Sequence, residues 1–214
     1  MSLREKKAAK TKMAILDAAL ALMAAKPFED VAVAEICDKA EISYATFFNY
    51  FEKKEDVLLY YVQLWSVNVA HRAAQAGGGL AGITEVFEYT GLECEKGPEV
   101  MEEIVAYMAR GRNIARLSIA PLSDTEKKLR YPYIQDFSAL GDTGLHSILP
   151  PLILQAVDRG ELPPGTDVND ATLALAAIFM GTPVALSTVR MRGLAGAYSR
   201  QLSMLWGGLK SPKK

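Results

Sequence analysis

The residues from Val33 to Phe51 hold the constellation whose types and spacing point most directly to a chemistry. Two short amphipathic segments are separated by Glu41-Ile42, and Ser43 is placed to accept an amide hydrogen bond at the start of the second. This is the spacing of a helix-turn-helix. Successive 100° steps turn Ile42, Phe47, Tyr50 and Phe51 to one side of the second segment and Tyr44, Ala45, Thr46, Phe48 and Asn49 to the other. A solvated helix fills its outer face with Lys and Glu. This one offers hydroxyl, amide, methyl and aromatic groups, the set that suits base edges and thymine methyls in a duplex groove. Catalysis has no comparable footing. His71 and His146 lack a nucleophile or ligand at a useful spacing, and Glu93/Glu95 and Glu102/Glu103 fit solvated faces. Cys37 and Cys94 have neither CxxC nor Cys/His spacing, so no zinc site or disulfide scaffold is expected. No catalytic residue, metal or cofactor is expected, and a reducing cytoplasm is the expected location.

Three stretches carry a family resemblance: Ile15-Leu16-Asp17-Ala18-Ala19, Val33 through Phe51, and Lys54-Glu55-Asp56-Val57-Leu58. Together they resemble the DNA-binding domain of TetR-family transcriptional regulators, most specifically in Ser43, Thr46, Phe47, Tyr50, Phe51 and Lys54. The resemblance covers roughly residues 10 to 60. It implies that the second motif helix enters the major groove, with Tyr44, Ala45 and Asn49 facing bases and Thr46, Tyr50 and Lys54 holding the backbone. Ser43 and Phe48 complete the expected contact surface. Hydroxyls and an ammonium at a helix start are good phosphate donors, and such contacts set register without reading sequence.

Four positions depart from that pattern. Ala32 stands where a Ser or Thr commonly caps the first motif helix, Glu41 replaces a turn Gly, Phe48 replaces a phosphate-bonding Tyr, and Lys53 stands where a capping residue is common. The departures weaken the expected grip on phosphate. Compensation is expected from the N-terminus: residues 1 to 12 carry Arg4, Lys6, Lys7, Lys10 and Lys12 against Glu5, a net of +4, whereas residues 13 to 60 carry a net of −5. This stretch reads as an arm that orders on nucleic acid, and Lys10 and Lys12 are counted among the DNA-binding residues.

The elements that must position these residues are helices. Apolar residues recur at helical spacing nearly throughout, and no stretch alternates as a strand would. Stops fall at Pro27, Gly77-Gly78-Gly79, Gly97-Pro98, Pro121, Gly160 with Pro163-Pro164, and Gly193. The expectation is an all-α protein of about nine helices, with a DNA-binding domain over 1–53 and a ligand-binding and dimerisation domain over 54–214. A helix from Lys54 to Ala76 joins the two. Half of the 214 residues are apolar and 23% charged, the profile of a globular protein with a substantial core. The N-terminus has basic groups but no apolar run to make a signal peptide. Asp170 and Arg190 enclose 19 uncharged residues, but glycine, proline and hydroxyl residues interrupt them, so a helix buried in protein and capped by Asp170 is expected rather than a membrane span.

From residue 61 onward, 15 basic and 15 acidic residues cancel, so this part carries no nucleic-acid signature. Met and polar-tipped aromatics suit an adaptable apolar pocket. The resemblance places a ligand cavity here, with Trp65, Phe87, Met101, Ile104, Tyr107, Met108, Tyr133, Phe137 and Met180 as candidate lining. Pro150-Pro151 interrupts the amide pattern of an otherwise helical stretch and is expected to kink it or to start a new helix. Ala174, Ala177, Gly181 and Ala185 permit close approach of another helix, and Leu194, Tyr198, Leu202, Leu205 and Leu209 follow with a related period. In the resembled family the last two helices build a four-helix bundle with a second subunit, which implies a homodimer reading a pseudo-palindromic operator. The expected function is a ligand-responsive regulator, most simply a repressor released by a small, largely apolar effector. Its rivals are an all-helical enzyme and a ligand-sensing dimer without specific DNA binding.

Overall fold

In a computed structural model of the protein, residues 2–109, 120–137 and 144–210 are described, apart from the side chains of Met108 and Lys210. Among them there are ten α-helices and no strand: α1 (Leu3–Met23), α2 (Val33–Lys39), α3 (Tyr44–Tyr50), α4 (Asp56–Gln75), α5 (Gly79–Lys96), α6 (Glu99–Ala109), α7 (Asp124–Arg130), α8 (Leu145–Asp158), α9 (Val168–Ala185) and α10 (Leu194–Lys210). Short 3-10 turns stand at Phe28–Asp30 and Ser187–Val189. The chain forms two compact units, Met1–Trp65 with Glu99–Phe137, and Ser66–Pro98 with Ser138–Lys214. Residues 56–65 of α4 belong to the first and 66–75 to the second.

The first unit is built on α1. Ala9, Met13, Leu16, Ala19 and Met23 recur at three- and four-residue spacing and are buried against Ile36, Phe47 and Phe51 from α2, α3 and the turn that follows. Phe47, Phe51 and Tyr60 form a run of ring contacts, with centroids 5.9 and 5.6 Å apart, that fixes α3 to the start of α4. Burial of each such ring stabilises the module by about 1.5–3 kcal/mol. α1 itself starts earlier than the sequence suggests. Ser2 and Glu5 close a capping box: the Glu5 amide donates to Ser2 Oγ at 3.2 Å and the Ser2 amide to Glu5 Oε2 at 2.8 Å. The basic N-terminus expected as a free arm is therefore the first three turns of a helix. Two satisfied amides and the helix-forming Ala, Lys and Arg content explain the difference.

In the second unit, α5 is packed against α8 and α10. Phe87 stands edge-on to Phe179 and Tyr198, at 5.2 and 5.1 Å, and the Tyr198 hydroxyl donates to Phe179 O at 2.6 Å. Gly91 makes the α5–α10 crossing possible, because a Cβ there would lie 2.6 Å from Ala195 Cα. The three glycines before α5 do more than end α4. Gly77, Gly78 and Gly79 all have positive φ, and the turn brings the amides of Gly79 and Leu80 to Gln155 Oε1 (3.1 Å) and Glu161 Oε2 (2.8 Å). Side chains beside the end of α8 thus cap α5.

Two expectations about the C-terminal half are corrected. Asp170 is not the cap of α9. The helix begins three residues earlier than supposed, and Asp167 accepts the amides of Asn169 and Asp170 at 2.8 and 3.0 Å. Nor is α9 buried on all sides: only 28% of its apolar 18-residue stretch is covered within the chain, and Leu173 and Val184 are exposed. Pro150 and Pro151 both lie inside α8, which continues through them to Asp158.

Candidate nucleic-acid interface

The geometry of α3 follows from its first residue. Ser43 is extended, its Oγ accepts the Thr46 amide at 3.1 Å and lies 2.8 Å from Thr46 Oγ1. That cap fixes the helix phase. Phe47 is wholly buried and the opposite face turns outward, with Tyr44 52% and Phe48 46% exposed and Ala45 and Asn49 exposed beside them. Thr46 and Tyr50 are half-buried at the edges. The Tyr44 and Phe48 rings lie 5.6 Å apart, so two aromatic surfaces stand in solvent with an amide and a methyl between and beside them. A face of this kind has no electrostatic reason to remain in water.

The turn before α3 is strained. Glu41 takes a left-handed conformation, φ 54°, at the place where Gly would be relaxed. Ala32 has no hydroxyl to accept an amide of the first turn, but the reciprocal half of a capping box is present: Glu35 Oε2 accepts the Ala32 amide at 2.9 Å, while Lys26 Nζ donates to both oxygens of Glu35. These contacts hold the Glu35 carboxyl below the ordinary carboxylate range, Lys26 first and the Ala32 amide second. Lys53 gains a comparable partner, its amide donating to Asp56 Oδ2 at 3.1 Å.

Two lysines expected at the duplex are engaged elsewhere. Lys54 Nζ donates to the carbonyls of Phe28, Glu29 and Val31 at 2.6, 3.0 and 2.9 Å and sits 4.7 Å from the centre of the Phe28 ring. An ammonium has three protons, and all three close the turn after α1. The first amide of that turn, Phe28 N, donates to Glu103 of α6 at 3.2 Å. Lys12 is also withdrawn. Its ammonium pairs with Glu126 Oε1 of α7 at 2.6 Å and lies over the Tyr60 ring at 4.4 Å, with both charged side chains largely buried. Burial pushes the Glu126 carboxyl up, but Lys12 and Ser123 outweigh it and the group stays below its ordinary value. Lys10 remains exposed on α1.

Residues 15–61 match the family model described as bacterial regulatory proteins, tetR family. That match covers the helix-turn-helix module and not the rest of the chain. The chain shares its fold with solved structures across nearly its whole length. FadR of Bacillus subtilis in complex with stearoyl-CoA is 19% identical, covers 92% of this chain and 98% of its own, and gives a TM-score of 0.63. The TetR-family repressor FadR of Thermus thermophilus in complex with lauroyl-CoA is 18% identical over 95% and 97%, with a TM-score of 0.62. FadR of Bacillus halodurans is 18% identical over 94% and 97%, at 0.59. No curated protein matches the chain.

The candidate pocket residues fall in both compact units. Trp65, Met101, Ile104, Tyr107, Tyr133 and Phe137 belong to the first, Phe87 and Met180 to the second. Met101, Tyr107 and Phe137 are buried, Trp65, Ile104 and Met180 half-buried, and Tyr133 is 57% exposed. The Phe87 ring is enclosed by Phe179 and Tyr198 and fills the core of its unit. The Met108 side chain lies outside the described residues. Among the described residues no group of three or more His, Cys, Asp or Glu is placed to hold a metal.

Proposed function

We propose that this protein is a TetR-family transcriptional regulator, a cytoplasmic homodimeric repressor that reads a pseudo-palindromic operator with α3 and leaves it when a small, largely apolar effector binds. The observation that carries this reading is the exposed, uncharged face of Tyr44, Ala45, Phe48 and Asn49 on a helix capped by Ser43. Residues 1–53 are the DNA-binding domain in this reading, and residues 54–214 bind the effector and the second subunit.

The bare side of α9 supports the dimer. Leu173, Ala177, Gly181 and Val184 follow one another at helical spacing and are all exposed, and Met204 of α10 is 76% exposed. Two copies of such a surface bury each other's apolar side chains about a twofold axis and set the spacing of two reading helices. An acyl chain fits the effector class, since two proteins of the same fold hold stearoyl-CoA and lauroyl-CoA. Release then follows from linkage. An effector weakens operator binding only by favouring a spacing of the two modules that the operator disfavours, with coupling of about 1–3 kcal/mol. α4, which supplies residues to both compact units, is the connecting element.

Selection of bound duplexes from a random pool, followed by fluorescence anisotropy over a range of salt concentrations, tests the reading. The expected outcome is an enriched inverted repeat bound far more tightly than random duplex, with strong salt dependence. A folded dimer that enriches no sequence would overturn it.

A further inference from the structure

We propose that Glu41, in the turn between α2 and α3, is a specificity-determining residue whose carboxylate accepts a hydrogen bond from the exocyclic amine of one cytosine in each half-site. The inference rests on the DNA-binding reading above and names a base which that reading did not supply. Glu41 stands just past the end of α2 with φ 54°. The backbone fixes that conformation. The Ile42 amide donates to Cys37 O at 3.0 Å and the Glu41 amide to Asp38 O at 3.2 Å, which closes α2 through a left-handed residue and leads directly into Ser43. Glycine takes such a position without strain, and glutamate does not. The side chain is exposed, and among the described residues its carboxylate belongs to no ion pair and accepts no hydrogen bond, although Lys39 stands two positions away. An unpartnered charge on a strained residue beside a binding face marks a place where function retains the strain.

Position and charge together identify the partner. In helix-turn-helix docking the N-terminal residues of the second helix reach base edges, so the turn that leads into Tyr44 enters the groove beside them. A carboxylate there is repelled by every phosphate and can only accept hydrogen bonds. On the major-groove edge guanine presents two acceptors, thymine an acceptor and a methyl, and adenine an acceptor beside its amine. Cytosine alone presents a donor with no acceptor of its own. The same charge penalises the other bases at that position, so Glu41 raises specificity by weakening wrong sequences as well as by favouring the right one.

The test is selection of bound duplexes from a random pool by full-length wild type, Glu41→Gly and Glu41→Gln, followed by fluorescence anisotropy on the operator that wild type selects and on random duplex. Wild type is expected to enrich one cytosine at a symmetric position of each half-site. Glu41→Gly is expected to leave that position unspecified and the rest of the repeat unchanged. Its ratio of operator to random affinity should fall about tenfold, in part because random duplex is bound more tightly. Glycine is the relaxed residue at this turn, so unfolding does not account for that loss. Glu41→Gln removes the charge at nearly the same size and is expected to tighten random duplex and to admit adenine at the cytosine position. Glu102→Gln, at an exposed acid on α6, is expected to change neither pool nor ratio. Identical pools for wild type and Glu41→Gly, on an operator that wild type binds specifically, would overturn the proposal and leave the reading of α3 intact, whether or not both duplexes tighten. A wild type that enriches no sequence would overturn the reading beneath it.

Discussion

Replacing Lys12 by Met separates two roles that one charge could have: holding the duplex or holding the fold. The Lys12–Glu126 pair has its charges 2.6 Å apart, with the two side chains only 15% and 7% exposed. At an effective dielectric of about 20 that separation is worth roughly 6 kcal/mol of attraction, before desolvation is subtracted. Removing one partner leaves the other buried and unpaired, which costs about 3–5 kcal/mol. Ser123 still donates its amide and hydroxyl to Glu126 Oε2 at 2.8 and 2.6 Å, so the loss belongs near the lower end. Urea unfolding of full-length Lys12→Met should therefore show a midpoint shift equivalent to about 3 kcal/mol at unchanged slope. The double variant Lys12→Met/Glu126→Leu should recover most of it, since a well-packed apolar pair can replace a buried ion pair. Measured under conditions where both proteins are folded, the salt slope on DNA should stay at the wild-type value. Wild-type stability combined with a slope flattened by about one unit would refute the argument and return Lys12 to the duplex.

The same pair sets an acid limit. Glu126 titrates below its unfolded value in the native state, so its contribution is complete above an unfolded pKa of about 4.3 and is lost as pH falls through the native one; Glu126→Gln should remove this part of the acid transition in a pH series of urea melts. Glu41→Gly relieves a left-handed residue and should raise stability by about 1 kcal/mol in the same assay. Gly91→Ala forces a methyl to 2.6 Å from Ala195 Cα at the α5–α10 crossing and should lower stability by about 1–3 kcal/mol. Leu173→Glu places a charge on the bare side of α9 and should shift the protein to monomer in sedimentation velocity with its helical circular dichroism intact.

Some of this was legible in the residues. Ser43 and the turn of apolar side chains around Phe47 announce α3 and its phase, because a cap and a period are local properties. The partners of Lys12 and Lys54 were not legible. A lysine near a recognition helix looks the same in sequence whether it faces phosphate or a carbonyl, and what decides it is a turn at Phe28 and a carboxylate far along the chain. The glycines at 77–79 show a break in sequence, but not that Gln155 and Glu161 come to cap the next helix. The bare side of α9 hides for a related reason: composition tells that the helix is apolar, not which copy of the chain covers it.

The most direct measurement is the affinity of Tyr44→Ala and Asn49→Ala for the selected operator and for random duplex, by anisotropy at one fixed salt concentration. Both side chains are exposed, so their truncation spares the core. Each should lose about 1–3 kcal/mol on the operator and little on random sequence. Equal affinities of both variants and wild type on the operator would mean that the outward face of α3 reads nothing.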